Sequence, residues 1–284
     1  MELEKLVTEN PLSRRDAIKL GGAALFTLTG CGSNTPSIGK HSMKATPHGI
    51  CQKATNVTRG AYFVGENIPM RSDIRSDTQG GADIQPGLPL ALKLMINSYS
   101  SNGTCAPLAN ARVDIWHCNA QGVYSGIDYS AMPQPSPTAS PSPSVSQAET
   151  RQAEATPEST VGRDFLRGYQ ATDASGVVDF QTIYPGWHTG RAAHILVKVR
   201  VLNPSGAATT EATLQLFFND QITNVVYLSN PAYQRSSMRD TLNATDAVYP
   251  NEKPPLFVNV IGNAATGYTA TVNLGVQVGV VSGG

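Results

Sequence analysis

An all-β fold is what this sequence predicts, a β-sandwich with few short helices. In several stretches apolar residues recur at every second position, which lines them along one face of a strand. The stretches are short and punctuated by Gly, Pro, Asn and Asp, as expected of sheets joined by tight turns. Only Gln221 to Leu228 carries a helical pattern, with a further turn around Asn243 to Val248.

The chain begins with an address. Ser13-Arg14-Arg15 with Lys19 forms a twin-arginine pattern, followed by an apolar run from Leu20 to Leu28 that is too short for an ordinary membrane-spanning helix. The ending Leu28-Thr29-Gly30-Cys31 looks like a bacterial lipoprotein processing site, which makes Cys31 the expected lipidated residue. Twin-arginine signals are read by a receptor and carry folded proteins across the membrane. The expected location is therefore the cell envelope, periplasmic or outer face, with a membrane anchor through Cys31. Residues 32–50, polar and containing His41 and His48, read as a flexible tether with solvated histidines.

The domain follows from residue 51 to 284. Leu88, Leu90, Leu92, Leu94 and Ile96 alternate with other residues; so do Val113 and Ile115, and then Leu214, Leu216 and Phe218. From about Met132 to Thr160 the composition shifts to PQPSPTASPSPS and polar, alanine-rich sequence. Such a run cannot bury enough apolar area to fold alone and is expected to be a disordered insertion. In the strand from His194, the residues Ile195, Val197 and Val199 form a core face, while His194, Leu196 and Lys198 share the other face and point outward. The last strand should run from Tyr268 to Val280, with Tyr268, Ala270, Val272, Leu274, Val276, Val278 and Val280 on one face.

Composition excludes some functions. The chain holds 21 Lys plus Arg and 21 Asp plus Glu in 284 residues, so it has no electrostatic footprint for nucleic acid. Beyond Cys31 three cysteines remain, Cys51, Cys105 and Cys118. An odd count leaves one thiol over; Cys105–Cys118 is the expected pair, with the other pairings open. No Gly-x-Ser-x-Gly elbow, His-Glu-x-x-His, Cys-x-x-Cys or phosphate-cradling loop occurs in the domain.

Two segments do carry a pattern. ARVDIWHCNAQGVYSG (111–126) and FLRGYQATDASGVVDFQTIYPGWHTGRAAHILVKV (165–199) resemble the intradiol ring-cleavage dioxygenases, non-haem iron enzymes that open catechol-type rings between the two hydroxyls. RSDIRSD (71–77), QLFFND (215–220) and NATDAVY (243–249) extend the resemblance over most of residues 51–280, on the side of the protocatechuate 3,4-dioxygenase-like exported members.

The resemblance implies a cofactor, Fe(3+), and a small catechol-type aromatic with O2 as partners. It implies four metal ligands, two tyrosinates and two histidines. Tyr124 stands at the first tyrosine and His194 at the first histidine; His188 replaces the second tyrosine and Leu196 the second histidine. Arg191 matches the arginine that holds and polarises substrate, Gln215 matches a glutamine near the site, and Tyr62 matches a tyrosine at the pocket edge. His188, an imidazole titrating near neutral pH, is both a candidate ligand and a candidate base. The metal set is thus Tyr124, His188 and His194, and the catalytic set Arg191, His188 and Gln215.

Fewer anionic donors raise the reduction potential, and leucine donates nothing. Three readings stay open: a divergent dioxygenase, a non-catalytic metal- or aromatic-binding lipoprotein, and a scaffold that binds partners. Trp116, His117 and Tyr184 are expected to serve the fold, by packing or hydrogen bonding. The oligomeric state is left open.

Overall fold

A computed structural model describes residues 51–58, 60, 62–65, 68–79, 83–132, 156–251 and 255–281. The leader with Cys31, the tether at 32–50 and all of the expected insertion except Met132 and residues 156–160 lie outside them. Lys44–Gly284 forms one compact unit.

Two sheets face each other. The first has six strands: β1 (Gln52–Lys53), β11 (Gly267–Val276), β2 (Pro89–Tyr99) and β3 (Cys105–Pro107) in that order, with β10 (Val260–Asn263) also on β11 and β6 (Val177–Ile183) also on β2. The second has five, in the order β5 (Arg167–Ala171), β4 (Arg112–Trp116), β7 (His194–Leu202), β8 (Ala208–Phe218) and β9 (Leu256–Val258). Most pairs are antiparallel, but β1 and β2 both run parallel to β11, and β9 runs parallel to β8. The fold is the all-β sandwich that the period-two pattern predicts.

The pattern works because each strand offers one apolar face to the space between the sheets. Leu90, Leu92, Leu94 and Ile96 of β2 meet Val113 and Ile115 of β4, Ile195, Val197 and Val199 of β7, and Leu214, Leu216 and Phe218 of β8 in one cluster. Each such side chain contributes about 1.5–3 kcal/mol on burial, which sets the register of every strand. The single α-helix among the described residues, α1 (Asp220–Ser229), starts where Asn219 accepts from the amides of Gln221 (2.8 Å) and Ile222 (3.2 Å). It is not long and apolar enough to cross a membrane.

Three expectations need correction. The outer face of β7 does not look into solvent: His194 and Leu196 are only 2% and 3% exposed, and Lys198 is buried too. Tyr62, Phe63 and Val64 pack with a second cluster of Trp116, Cys118, Tyr124, Ile127, Tyr129 and Leu196. Lys198 is accommodated by Glu211 at 2.8 Å and by the Phe63 ring, 4.7 Å from its ammonium nitrogen.

The last strand stops at Val276, not Val280. Gly279, at φ +83°, turns the chain, its amide bonds Thr210 Oγ1 at 2.9 Å, and Val278 and Val280 end 48% and 39% exposed. The disulfide is Cys51–Cys105, Cα atoms 6.0 Å apart, and not Cys105–Cys118. Cys51 precedes β1 and Cys105 opens β3, both in the first sheet. Cys118 follows β4 in the second sheet, where it is buried with a free thiol.

Candidate metal centre

Two loops have to touch before a site can exist here. One follows β4 and carries Tyr124; the other links β6 to β7 and carries His188 and Arg191. Glycine makes the approach possible. A Cβ on Gly186 would lie 2.2 Å from the Asn119 carbonyl oxygen and 2.8 Å from that of Ala120. Gly122, at φ +82°, faces the other way, and a Cβ there would lie 2.2 Å from the Trp187 carbonyl oxygen. Arg235 reinforces the contact, donating to the Trp187 carbonyl at 2.6 Å and stacking over the Trp187 ring at 4.0 Å.

Tyr124 is fixed through its backbone. Its amide donates to the Tyr129 hydroxyl at 2.5 Å, and its carbonyl accepts from Thr160 Oγ1 at 2.8 Å. Thr160, at the far edge of the expected insertion, therefore belongs to the frame of the site. The fully buried Tyr124 side chain puts its hydroxyl 3.2 Å from His194 Nε2. His194, the first residue of β7, has its Nδ1 2.7 Å from the Ala192 carbonyl. That carbonyl can only accept, so Nδ1 carries the proton and Nε2 presents its lone pair towards Tyr124.

His188 completes the group. Its ring centroid lies 5.5 Å from that of Tyr124 and 5.8 Å from that of His194, and its Nε2 is buried without a hydrogen-bond partner. Tyr62 stacks on Tyr124 with centroids 4.3 Å apart and planes 4° from parallel, and meets His188 edge-on at 5.0 Å.

The three candidate ligands named from the sequence thus converge, and Arg191 and Gln215 sit beside them. Arg191 Nε donates to Asp246 Oδ2 at 2.9 Å, and its Nη2 donates to Gln215 Oε1. Asp246 also accepts from the amides of Ala192 (2.8 Å), Val248 (2.7 Å) and Tyr249 (3.1 Å). Leu196 pairs in register with Trp116 and Gln215, turns to the aromatic cluster and itself offers no donor.

Burial sets the electrostatics. It drives His194 well below the ordinary imidazole value, helped by the charge of Arg191 and by His188. Burial, with Arg191 second, lowers His188 to about 4, and burial raises Tyr124 well above the usual phenol value. Without a metal all three groups are uncharged at neutral pH. Burial also opposes ionisation of Asp246, but the Arg191 hydrogen bond and the Ala192 amide outweigh it and hold its carboxyl below the usual range.

Two uncharged imidazole nitrogens and a phenol, one of the nitrogens buried and unpartnered, are a donor set suited to a metal ion. Among the described residues no three His, Cys, Asp or Glu side chains form such a group. The third donor here is a phenol. Asp246 is the site residue that sequence reasoning did not name. Its segment, NATDAVY, was in view, but its partner Arg191 is 55 residues away.

The expected supporting residues hold the fold. His117 places Nε2 2.6 Å from Thr182 Oγ1 and Nδ1 2.8 Å from the Cys118 carbonyl. The Tyr184 hydroxyl lies 2.8 Å from Thr223 Oγ1, in the core. Trp116 packs edge-on against Phe63 at 5.1 Å.

No protein-family model matches the sequence, and no curated protein matches it. Solved structures do. An intradiol ring-cleavage dioxygenase from Tetranychus urticae is 25% identical, with 82% of this chain and 98% of that one covered at a TM-score of 0.60. A second dioxygenase of known crystal structure matches with the same identity and coverage at 0.59. The sandwich brings a phenol and two imidazoles together where the loops meet β7. The fold is that of the intradiol ring-cleavage dioxygenases.

Proposed function

We propose that the protein is a divergent intradiol-type dioxygenase that takes a small catechol-type aromatic and O2 at a non-haem iron held by Tyr124, His188 and His194. The observation that carries the reading is the Tyr124 hydroxyl 3.2 Å from His194 Nε2, with the His188 ring centroid 5.5 Å from that of Tyr124 and 5.8 Å from that of His194 and its Nε2 buried without a partner. When bound, the metal supplies Lewis acidity and a path for electrons between the aromatic and oxygen.

The chain's own residues do the rest. The Ala192 carbonyl fixes the His194 tautomer and so aims its free nitrogen. Asp246 and Gln215 hold the Arg191 guanidinium in one orientation, ready to pair with an anionic oxygen of the aromatic. His188, uncharged at neutral pH, would offer its unpartnered Nε2 as a neutral donor to the metal. Leu196, Trp116 and Phe63 form an apolar wall that keeps water away.

Metal analysis and oxygen uptake with catechol and protocatechuate test the reading. We expect about one metal per chain and uptake that Tyr124→Phe lowers by roughly 100-fold or more. Protein without stoichiometric metal and without uptake would sink it. A second reading, a non-catalytic aromatic-binding relative, draws on Leu196, which leaves the inherited ligand set short. Ligand-induced thermal shifts without turnover would favour it.

Export through the twin-arginine route and anchoring at Cys31 are part of the proposal. They rest on the leader sequence alone. Membrane fractionation of the parent and of Cys31→Ala tests them; release of the variant in soluble form is the expected result.

A further inference from the structure

We infer that the centre is a two-histidine, one-phenolate site built for a divalent ion, ferrous when iron fills it, rather than for ferric iron. The inference rests on the metal-binding reading above and concerns the charge the site can hold.

The donors decide the charge. His188 and His194 are neutral ligands, so Tyr124, once deprotonated by the ion it binds, is the single anion. Two imidazoles and one anionic oxygen are the charge type of the two-histidine, one-carboxylate sites that hold ferrous iron in oxygenases. Ferric iron, harder and more highly charged, needs further anions.

Among the described residues the surroundings offer no free carboxylate. Leu196 turns an apolar side chain to the cluster that contains Tyr124. The Gln215 amide oxygen is taken by Arg191. Asp246 is matched to the Arg191 guanidinium and to three backbone amides. Asp240 accepts from the Gly190 amide at 3.2 Å and the Thr241 hydroxyl at 2.8 Å.

Tyr124 and His194 are both buried, so the net charge of the filled centre is held away from water. A divalent ion leaves one positive charge there and a trivalent ion leaves two. Because the cost of desolvating charge grows as its square, the trivalent centre is penalised roughly fourfold more.

One group could change the count. Tyr62 stacks on Tyr124 and touches the edge of His188. A second phenolate from Tyr62 would make the site ferric. The test has to see that as well.

The metal-free full chain is dialysed without air against ferrous iron, and separately against citrate-buffered ferric iron, followed by metal analysis and visible spectra. We expect one ferrous ion per chain with no phenolate-to-iron charge-transfer band, and ferric retention at least about tenfold lower. The paired variant His188→Tyr with Leu196→His, which adds a phenolate and an imidazole, should reverse that order and become coloured. Ferric iron retained by the parent as well as ferrous, with a charge-transfer band, overturns the inference and leaves the metal-binding reading standing. So does a band that survives Tyr124→Phe and is lost in Tyr62→Phe. Retention of neither ion by the parent overturns the metal-binding reading, and the inference falls with it.

Discussion

Leu196 stands where the family resemblance places a histidine. It is packed among Trp116, Tyr124, Ile127 and Tyr129, an apolar setting in which burying an imidazole is costly in the absence of metal. We expect Leu196→His to destabilise the metal-free protein by about 1–3 kcal/mol, the cost of a buried unsatisfied polar group. Metal should restore that loss, so thermal unfolding with and without divalent ion should show a larger metal-induced shift than in the parent. His117 gives a second prediction, about pH. Burial holds it at about 4, below its unfolded value near 6.5, with the Cys118 carbonyl opposing that shift and Arg167 adding to it. The unfolded chain therefore binds more protons in that window. Stability is full above pH 6.5 and falls as the pH drops from 6.5 towards 4, by up to about 3 kcal/mol from this group. Urea unfolding of the metal-free protein should show that slope, reduced in His117→Asn. At this scale Tyr124, His188, His194, Arg191 and Gln215 were legible, because each stands in a short string of recognisable neighbours. Asp246 and the stack of Tyr62 on Tyr124 were not, since both depend on partners more than fifty residues away.

Strands and loops divide differently. β2, β4 and β8 were readable because a strand with one face in the core must alternate, and theirs do. β7 misled, since His194, Leu196 and Lys198 look like a solvated face, and the segment that covers them lies about 130 residues earlier. β11 was overextended because valines continue in alternation past Val276, while Gly279 turns the backbone. The approach of the two site loops was invisible, because it depends on the hydrogens at Cα of Gly122 and Gly186. Gly186→Ala should force the Trp187–Arg191 loop away from residues 119–120, the alanine methyl having 2.2 Å to the Asn119 oxygen where contact needs more than 3 Å. We expect a loss of about 1–3 kcal/mol, the usual range for overpacking. Metal retention should fall even at temperatures where the variant remains folded, because His188 and Tyr124 no longer face each other. Calorimetry and metal analysis on one sample separate the two effects. Normal retention would show that the loop contact does not position the donors.

Across the whole molecule the disulfide and the free thiol have opposite fates. Cys51–Cys105 closes a loop of 54 residues and ties the entry of the domain to the first sheet. In the chain-entropy account such a loop is worth about 4 kcal/mol. It also needs an oxidising compartment, as the proposed export provides. Cys118 sits 13 residues after Cys105 in sequence, which made it the obvious partner, yet the fold sends the two cysteines to different sheets. Burial pushes its thiol up to about 12, so almost no thiolate exists at neutral pH to attack the disulfide or an alkylating reagent. Native protein should therefore take up no iodoacetamide. Mild reduction should expose two labelling sites and lower the unfolding midpoint, and denaturation of the reduced chain should expose Cys118 as well. The replacement Cys51→Ser with Cys105→Ser should reproduce the lowered midpoint and leave Cys118 unlabelled while folded. Rapid labelling of Cys118 in that variant would mean that the second sheet opens when the first loses its tie, making the sandwich one cooperative unit held by a single crosslink. Slow labelling, the expected result, means that the core between the sheets suffices to keep the face carrying His194 closed.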